Sequence, residues 1–343
     1  MKKILNVLYQ SSNEYAVITR VSITSLLYNN KKINEINIYL LNDNISSENQ
    51  KKIKKLCSIY NRNLFFINTN KILKKLKELK VTPYGGAYTT YFKLMALNDI
   101  NLNKNIILYL DSDTIINGSL SELCEIDLNN VICAATYDCT LNKYKKLIDI
   151  PENDKYYNCG VLLINQEMWR SENCEKQIVY HLKKIRSGYY TVDQDIVNVL
   201  FRKKIKYLDL KYNFNSGFYI YGIKKSLKMY GLKSPYYNSV KEIEKAYKNP
   251  IIYHCMGAMT GRPWEQDSIH PQNSLFDKYF RMSPWKDFKK KIVIRKKVFK
   301  IQRFLYQILP KFIYIPIHCF IQNLYLINMN NNAKNFAKIK NDN

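Results

Sequence analysis

The chain has 343 residues, 46% of them apolar, enough to bury a substantial core without staples, which argues against global disorder. Lys and Arg number 54 against 28 Asp and Glu, a formal charge of +26 that favours polyanionic partners: nucleic acid, an anionic membrane or phosphorylated substrates. Eight scattered cysteines without a Cys-x-x-Cys pair, and only four histidines, give no support to a zinc finger or a disulfide framework and point to reduced thiols in a cytoplasmic protein.

The N-terminus, Met1-Lys2-Lys3-Ile4-Leu5, carries no long apolar run, so no signal peptide is expected. Residues 4–9 read as a buried strand and 14–28 as a helix with Val17, Ile18, Val21 and Leu26 on one face. A second strand is expected at 36–41. A helix over 46–60 follows, capped by Ser46 or Ser47, with Ile53, Leu56 and Ile59 inward. Strands at 64–67 and 106–110 flank a helical stretch at 89–97. Further strands are expected at 131–136, 161–165, 205–208 and 251–253, and helices over 174–185 and 196–201. This alternation predicts a doubly wound, mostly parallel α/β sheet, whose ligands bind beyond the carboxyl ends of the strands.

The composition changes near Lys286. Residues 286–303 hold nine Lys or Arg and one acid, Asp287; residues 304–329 are apolar and aromatic but broken by Pro310, Lys311 and Pro316. The expected division is a main domain over 1–285 and a small helical tail over 286–343, whose residues 330–343 form a polar, frayed end. A basic amphipathic segment followed by aromatics suits the surface of an anionic membrane. The other reading is a helical subdomain with a merely solvated charged face.

The strongest chemical signal is Ile106-Ile107-Leu108-Tyr109-Leu110-Asp111-Ser112-Asp113. An apolar strand ends in two carboxylates, and residues i and i+2 of a strand point to one side. Two hard oxygen donors there suit Mg²⁺ or Mn²⁺ shared with a diphosphate; the bland reading is a polar strand-to-loop cap.

This segment resembles the Asp-x-Asp motif of the retaining glycosyltransferases of family 8, which include bacterial lipopolysaccharide galactosyl- and glucosyltransferases and glycogenin. Four further segments resemble the family's in the same order: Tyr91-Phe92-Lys93-Leu94; Tyr157-Asn158-Cys159-Gly160-Val161 through Trp169-Arg170; Asp193-Gln194-Asp195; and His254-Cys255-Met256-Gly257 followed by Arg262-Pro263-Trp264. The resemblance implies a Rossmann-like sheet of the GT-A type and transfer of galactose or glucose from a UDP-sugar to a lipooligosaccharide, lipopolysaccharide or other surface-glycan acceptor, with Mn²⁺ or Mg²⁺ as cofactor.

It also implies roles. Asp111, Asp113 and His254 hold the metal, with Asp111 and Ser112 also at the nucleotide sugar. Gly257 lets the backbone approach phosphate, and Arg262 clamps it. Tyr9, Ser11 and Asn13 line the turn that holds uracil and ribose, where Ser11 replaces the family's acid; Asn13 reads equally as a helix N-cap. Lys93, in place of the family's Arg, reaches the diphosphate or sugar, or is a solvated helix charge. Asn158, Asp193 and Gln194 read the sugar hydroxyls, and Asp138 is a further sugar- or acceptor-binding acid. Asp193 and Asp195 also read as helix caps, and His254 alone as a core histidine. Gln194, nearest the anomeric carbon, is a poor nucleophile, so front-side attack is implied, with Asp193 the alternative nucleophile. The tail resembles those that attach family members to the inner face of the cytoplasmic membrane. Competing expectations are a glycogenin-like, self-modifying transferase, or a non-catalytic nucleic-acid-binding protein; the latter lacks any recognisable motif, so no nucleic-acid partner is expected.

Overall fold

The computed structural model describes residues 2–339, apart from 103, 186–188, 258, 286–288 and 296. Its first half is built as the alternation predicts. Strand β1 (Ile4–Ser12) leads into helix α1 (Ala16–Asn29), β2 (Glu35–Asp43), α2 (Ser47–Ile59), β3 (Asn63–Asn68) and α3 (Asn70–Glu78). Ser46 caps α2, its side chain accepting the Asn49 N–H, as expected. The stretch expected to be helical at 89–97 is a 3₁₀ turn, Thr89–Tyr91, running into the short α4 (Phe92–Ala96). Then come β4 (Ile106–Leu110), β5 (Thr114–Ile116), β6 (Cys133–Tyr137), β7 (Tyr157–Asn165), α5 (Gln166–Ser171), α6 (Cys174–Ile185), α7 (Val192–Phe201) and β8 (Ile205–Tyr207). The last third holds β9 (Phe214–Asn215), α8 (Gly217–Tyr221), α9 (Ile223–Tyr230), α10 (Val240–Lys248), β10 (Ile252–His254), α11 (Asn273–Met282), α12 (Lys297–Ile308) and α13 (Lys311–Ile339).

The main sheet has the order β3-β2-β1-β4-β7-β6-β8. It is parallel except at β7, which runs antiparallel to both β4 and β6. Side chains alternate between two cores: Ile107 and Tyr109 of β4 enter one, Leu108 and Leu110 the other. The mostly parallel α/β expectation is borne out, and the reversal of β7 has a local consequence. Its first residues lie beside the carboxyl end of β4, and the Asp111 N–H donates to Gly160 O at 2.7 Å.

A second, three-stranded sheet, β5-β10-β9, docks at that same end. His254 pairs with Thr114 on one side and Asn215 on the other, and the Cys255 N–H donates to Asp113 O at 2.9 Å. The small sheet thus carries His254 to the two aspartates from 141 residues further along the chain (254 − 113).

The boundary expected at 285/286 lies partly outside the described residues. Beyond it, Tyr314 and Ile315 of α13 pack with Ile220, Tyr221, Met229 and Met259, so the tail is tied to the domain. The end expected to fray is helical through Ile339; residues 340–343 lie outside the described set. Among the described residues no helix is long and apolar enough to cross a membrane.

Candidate active site

Asp111 follows the last residue of β4, and residues 111–114 form a turn in which the Thr114 N–H donates to Asp111 O at 3.1 Å. Ser112 turns inward, where its hydroxyl donates to Gln10 O at 2.9 Å and lies 2.8 Å from Thr19 Oγ1. Asp111 and Asp113 face the other way. Ser112 is therefore a rivet to β1 and α1, and its side chain is not offered to a nucleotide as expected.

Each carboxylate has one oxygen engaged and one turned to a common point. Asp111 Oδ1 accepts from the Tyr109 hydroxyl and lies 3.8 Å from Lys93 Nζ; Asp113 Oδ2 accepts from Arg262 Nη1 at 2.8 Å. The other oxygens, Asp111 Oδ2 and Asp113 Oδ1, lie 3.8 and 3.2 Å from His254 Nε2. One ligand atom from each of the three residues falls within 4.8 Å of the others. Two carboxylate oxygens and an imidazole nitrogen, each braced by outer partners, fit a hard-to-borderline dication. Gly160 confirms how tightly the three are set: a Cβ there would sit 2.3 Å from His254 Cε1 and 2.8 Å from Asp111 Oδ2. The expected metal ligands are thus brought together.

Electrostatics follow from burial set against charge. Burial pushes the Asp113 carboxyl up, but His254 and Arg262 outweigh it and hold the pKa at about 2. Burial likewise opposes the charged imidazole of His254, and Asp113 outweighs it in the raising direction.

A polar chain runs from the metal ligands into the rest of the predicted set. His254 Nδ1 lies 3.0 Å from Asn213 Oδ1, and Asn213 Nδ2 donates to Asn158 Oδ1 at 2.7 Å. Asn158 Nδ2 donates to Asp138 Oδ1 at 2.6 Å, and Gln194 Nε2 lies 3.3 Å from Asp138 Oδ2. Burial raises the Asp138 carboxyl, opposed by the Asn158 hydrogen bond. Asp138, Asn158, Asn213, Met256 and His254 line one slot beside the metal ligands. Asn213 was not anticipated; its only mark in the sequence is the alternation Tyr212-Asn213-Phe214-Asn215.

Lys93 is not the solvated helix charge of one reading: its side chain is 3% exposed and meets protein partners. Its Nζ pairs with Asp193 at 2.7 Å, donates to Cys159 O at 3.0 Å and lies over the Tyr109 ring. Burial disfavours its charge, but Asp193 and Asp111 prevail and keep its pKa above that of a free lysine. Asp193 and Asp195 lie inside the first turn of α7, which begins earlier than expected; Asp195 reaches back to the Thr191 N–H at 2.9 Å, while Asp193 belongs to the Lys93 pair.

The first strand's residues need correction. β1 continues through Ser12, paired along β2 to Asp43, so Tyr9 lies within the strand and not at its terminal turn. The Tyr9 side chain is fully buried, its hydroxyl 3.0 Å from Ser22 Oγ, so it packs in the core instead of lining a turn. Ser11 is also buried, accepting from Thr19 Oγ1 at 2.8 Å. Asn13 stays on the exposed rim but does not cap α1; its Oδ1 accepts from the Ser46 N–H and from Asn49 Nδ2, both at 2.9 Å. Gly257 sits under Arg262, where a Cβ would meet Arg262 Nε at 2.9 Å.

Known proteins share this arrangement of elements. The galactosyltransferase LgtC, solved in complex with donor and acceptor sugar analogs, superposes with a TM-score of 0.66 at 22% identity, over 82% of this chain and 97% of that one. A lipopolysaccharide 1,2-glucosyltransferase of Escherichia coli is 29% identical over 288 residues, 82% of this chain and 79% of that protein. A protein of Haemophilus influenzae, provisionally named a glycosyltransferase, is 32% identical over 216 residues, and the match spans 61% of this chain and 63% of that protein. Residues 6–268 match the model of glycosyl transferase family 8, and on that extent the chain belongs to this family of sugar-transferring enzymes.

Proposed function

We propose that the chain is a retaining hexosyltransferase that takes galactose or glucose from a UDP-sugar, with Mn²⁺ (Mg²⁺ the alternative) as cofactor, and passes it to a lipooligosaccharide, lipopolysaccharide or related surface glycan. The observation that carries this reading is the convergence of Asp111 Oδ2, Asp113 Oδ1 and His254 Nε2 beside the slot lined by Asp138 and Asn158. The dication, when bound, supplies positive charge that offsets the departing diphosphate.

The chain's own groups do the rest. Arg262, on a loop with glycines at 257 and 261, is placed to turn its fork from Asp113 to the diphosphate. Asp138 and Asn158, hydrogen-bonded to each other at 2.6 Å, carry the acceptors and donors that a hexose bound beside the metal ligands would meet. Gln194 has its carbonyl oxygen on the Cys159 N–H and its amide nitrogen between Asp138 and Tyr156, so it orients groups and does not attack. Asp193, the alternative nucleophile, is held by Lys93. These placements support front-side attack: the acceptor hydroxyl bonds to the anomeric carbon as the diphosphate leaves, and the departing phosphate oxygen takes the proton.

The tail supports attachment to an anionic membrane surface. Ile294, Phe299, Phe304 and Phe312 are exposed close to Lys or Arg residues, and Phe320 is exposed further along α13. All eight cysteines are free thiols, in keeping with a cytoplasmic site at the inner leaflet.

The test is a panel of sugar nucleotides with Mn²⁺ or Mg²⁺, scored by release of nucleoside diphosphate. UDP-galactose or UDP-glucose is expected to react, and Asp111→Asn and Asp113→Asn to abolish release. Turnover that needs no dication, or survives both substitutions, would overturn the reading. Mass spectrometry of the reacted protein separates self-modification from transfer to an added acceptor. Flotation with phosphatidylglycerol vesicles tests the tail.

A further inference from the structure

The segment that follows the catalytic domain in sequence grips the loop that carries Arg262. The Lys291 N–H donates to Trp264 O and the Gln266 N–H donates to Lys291 O, both at 2.9 Å, so the backbone after the domain bridges residues 264–266. Arg295 Nη2 donates to Glu265 Oε2 and to Asp267 Oδ1, the latter at 3.2 Å. Arg303 Nη1, in the second turn of α12, donates to Asp267 Oδ2 at 2.6 Å. Glu265 is the hinge of this set, because the same Oε2 accepts the backbone N–H of Arg262 at 3.0 Å.

Burial makes the arrangement matter. The side chains of Glu265 and Arg295 are 11% and 16% exposed, so the carboxylate depends on Arg295 for compensation. The loop is pressed against the pair: Gly261 has φ +75°, and a Cβ there would lie 2.6 Å from Glu265 Oε2 and 2.8 Å from Arg295 Nη2. Without Arg295 the carboxylate gains by turning to water, and that change weakens its hold on the Arg262 N–H. Arg295 lies beyond the family match, which ends at residue 268.

We propose that Arg295 is a positioning residue for nucleotide binding: through Glu265 it fixes the backbone at Arg262, so the tail completes the diphosphate side of the site. This rests on the reading of Arg262 as a diphosphate ligand.

The test uses the full chain and calorimetric titration with uridine diphosphate in saturating Mn²⁺, alongside Mn²⁺ alone. Arg295→Met is expected to weaken uridine diphosphate binding roughly tenfold, the scale of one charge-assisted hydrogen bond, and to weaken binding of Mn²⁺ alone by less, because only the Arg262 brace on Asp113 is loosened there. In an Arg262→Ala background it should add nothing, whereas a role in general stability would move neither affinity of the folded protein. Glu265→Ala makes the same comparison should Arg295→Met not fold. If Arg262→Ala weakens the nucleotide while Arg295→Met leaves it intact, or if the two losses multiply, the inference is overturned. If Arg262→Ala itself has no effect, the underlying reading fails and takes the inference with it.

Discussion

Asn213 Oδ1 lies 3.0 Å from His254 Nδ1, and in the neutral imidazole this contact sets which nitrogen carries the lone pair. The assignment follows from a chain of donors. The backbone N–H of Gly160 donates to Asn158 Oδ1 at 2.8 Å, which orients that amide; Asn213 Nδ2 donates to the same oxygen. Asn213 therefore presents its carbonyl to His254, Nδ1 carries a proton, and Nε2 is left to face Asp111 and Asp113. Replacing Asn213 with Ala frees the ring to flip or change tautomer. The expected loss of Mn²⁺ affinity is roughly 10- to 100-fold, read by titration with electron paramagnetic resonance, while Asn213→Asp retains the acceptor and most of the affinity. An alanine variant that binds Mn²⁺ as the parent does would show that the contact is incidental.

Gly160 makes a harder demand on the same site. Its added Cβ would fall within 2.8 Å of both His254 and Asp111, and neither is the free end of a flexible chain. The residue lies in β7, where Ala fits the backbone, so the protein is expected to fold. Pushing two ligands apart by about an ångström should cost on the order of a hundredfold in turnover and comparably in metal affinity. The check is circular dichroism for folding followed by Mn²⁺ titration; a folded Gly160→Ala enzyme with parental affinity refutes the packing argument.

The end of β4 was legible because an apolar run stopping at two acids is a local signal, and the strand did end at Leu110. The direction of β7 was not, because a strand buried on both faces reads the same either way round. Tyr9 was misplaced for a related reason. Gln10, Ser11 and Ser12 carry no apolar marker, yet they extend β1 because Leu41, Asn42 and Asp43 of β2 pair with them. Pairing partners decide such strand ends, and they lie elsewhere in the chain. Asn213 and Arg295 were invisible on the same grounds: each owes its place to a residue tens of positions away.

Lys93 holds two carboxylates apart inside the protein. It is 2.7 Å from Asp193 and 3.8 Å from Asp111, with Asp193 itself 8% exposed. Burial raises the Asp193 carboxyl and Lys93 is the main opposing influence. Lys93→Met removes the ammonium and leaves a buried charge uncompensated, which is expected to destabilise the fold by about 3–5 kcal/mol in urea titration. Lys93→Met with Asp193→Asn should recover part of that loss, since the stranded charge is gone. A double variant as unstable as the sum of the singles would mean that the two residues are not coupled.

His318 sets a pH dependence on the docking of the tail. Its ring is stacked between Tyr221 and Tyr314 at 5.5 and 5.4 Å between centroids, with Nε2 3.1 Å from the Tyr221 hydroxyl and Nδ1 3.4 Å from that of Tyr314. Burial pushes its pKa down to about 4, whereas an exposed histidine takes its proton near 6.5. The unfolded chain therefore binds more protons than the folded one across this window. The stabilisation is complete above pH ~6.5, falls as pH drops and levels off below about 4, a loss of at most about 3 kcal/mol. His270, also pushed down to about 4 by burial, tilts stability the same way, so the diagnostic quantity is a difference. Guanidinium unfolding between pH 7.5 and 4 should show a shallower decline for His318→Phe than for the parent. Parallel declines in the two proteins would place the pH sensitivity elsewhere.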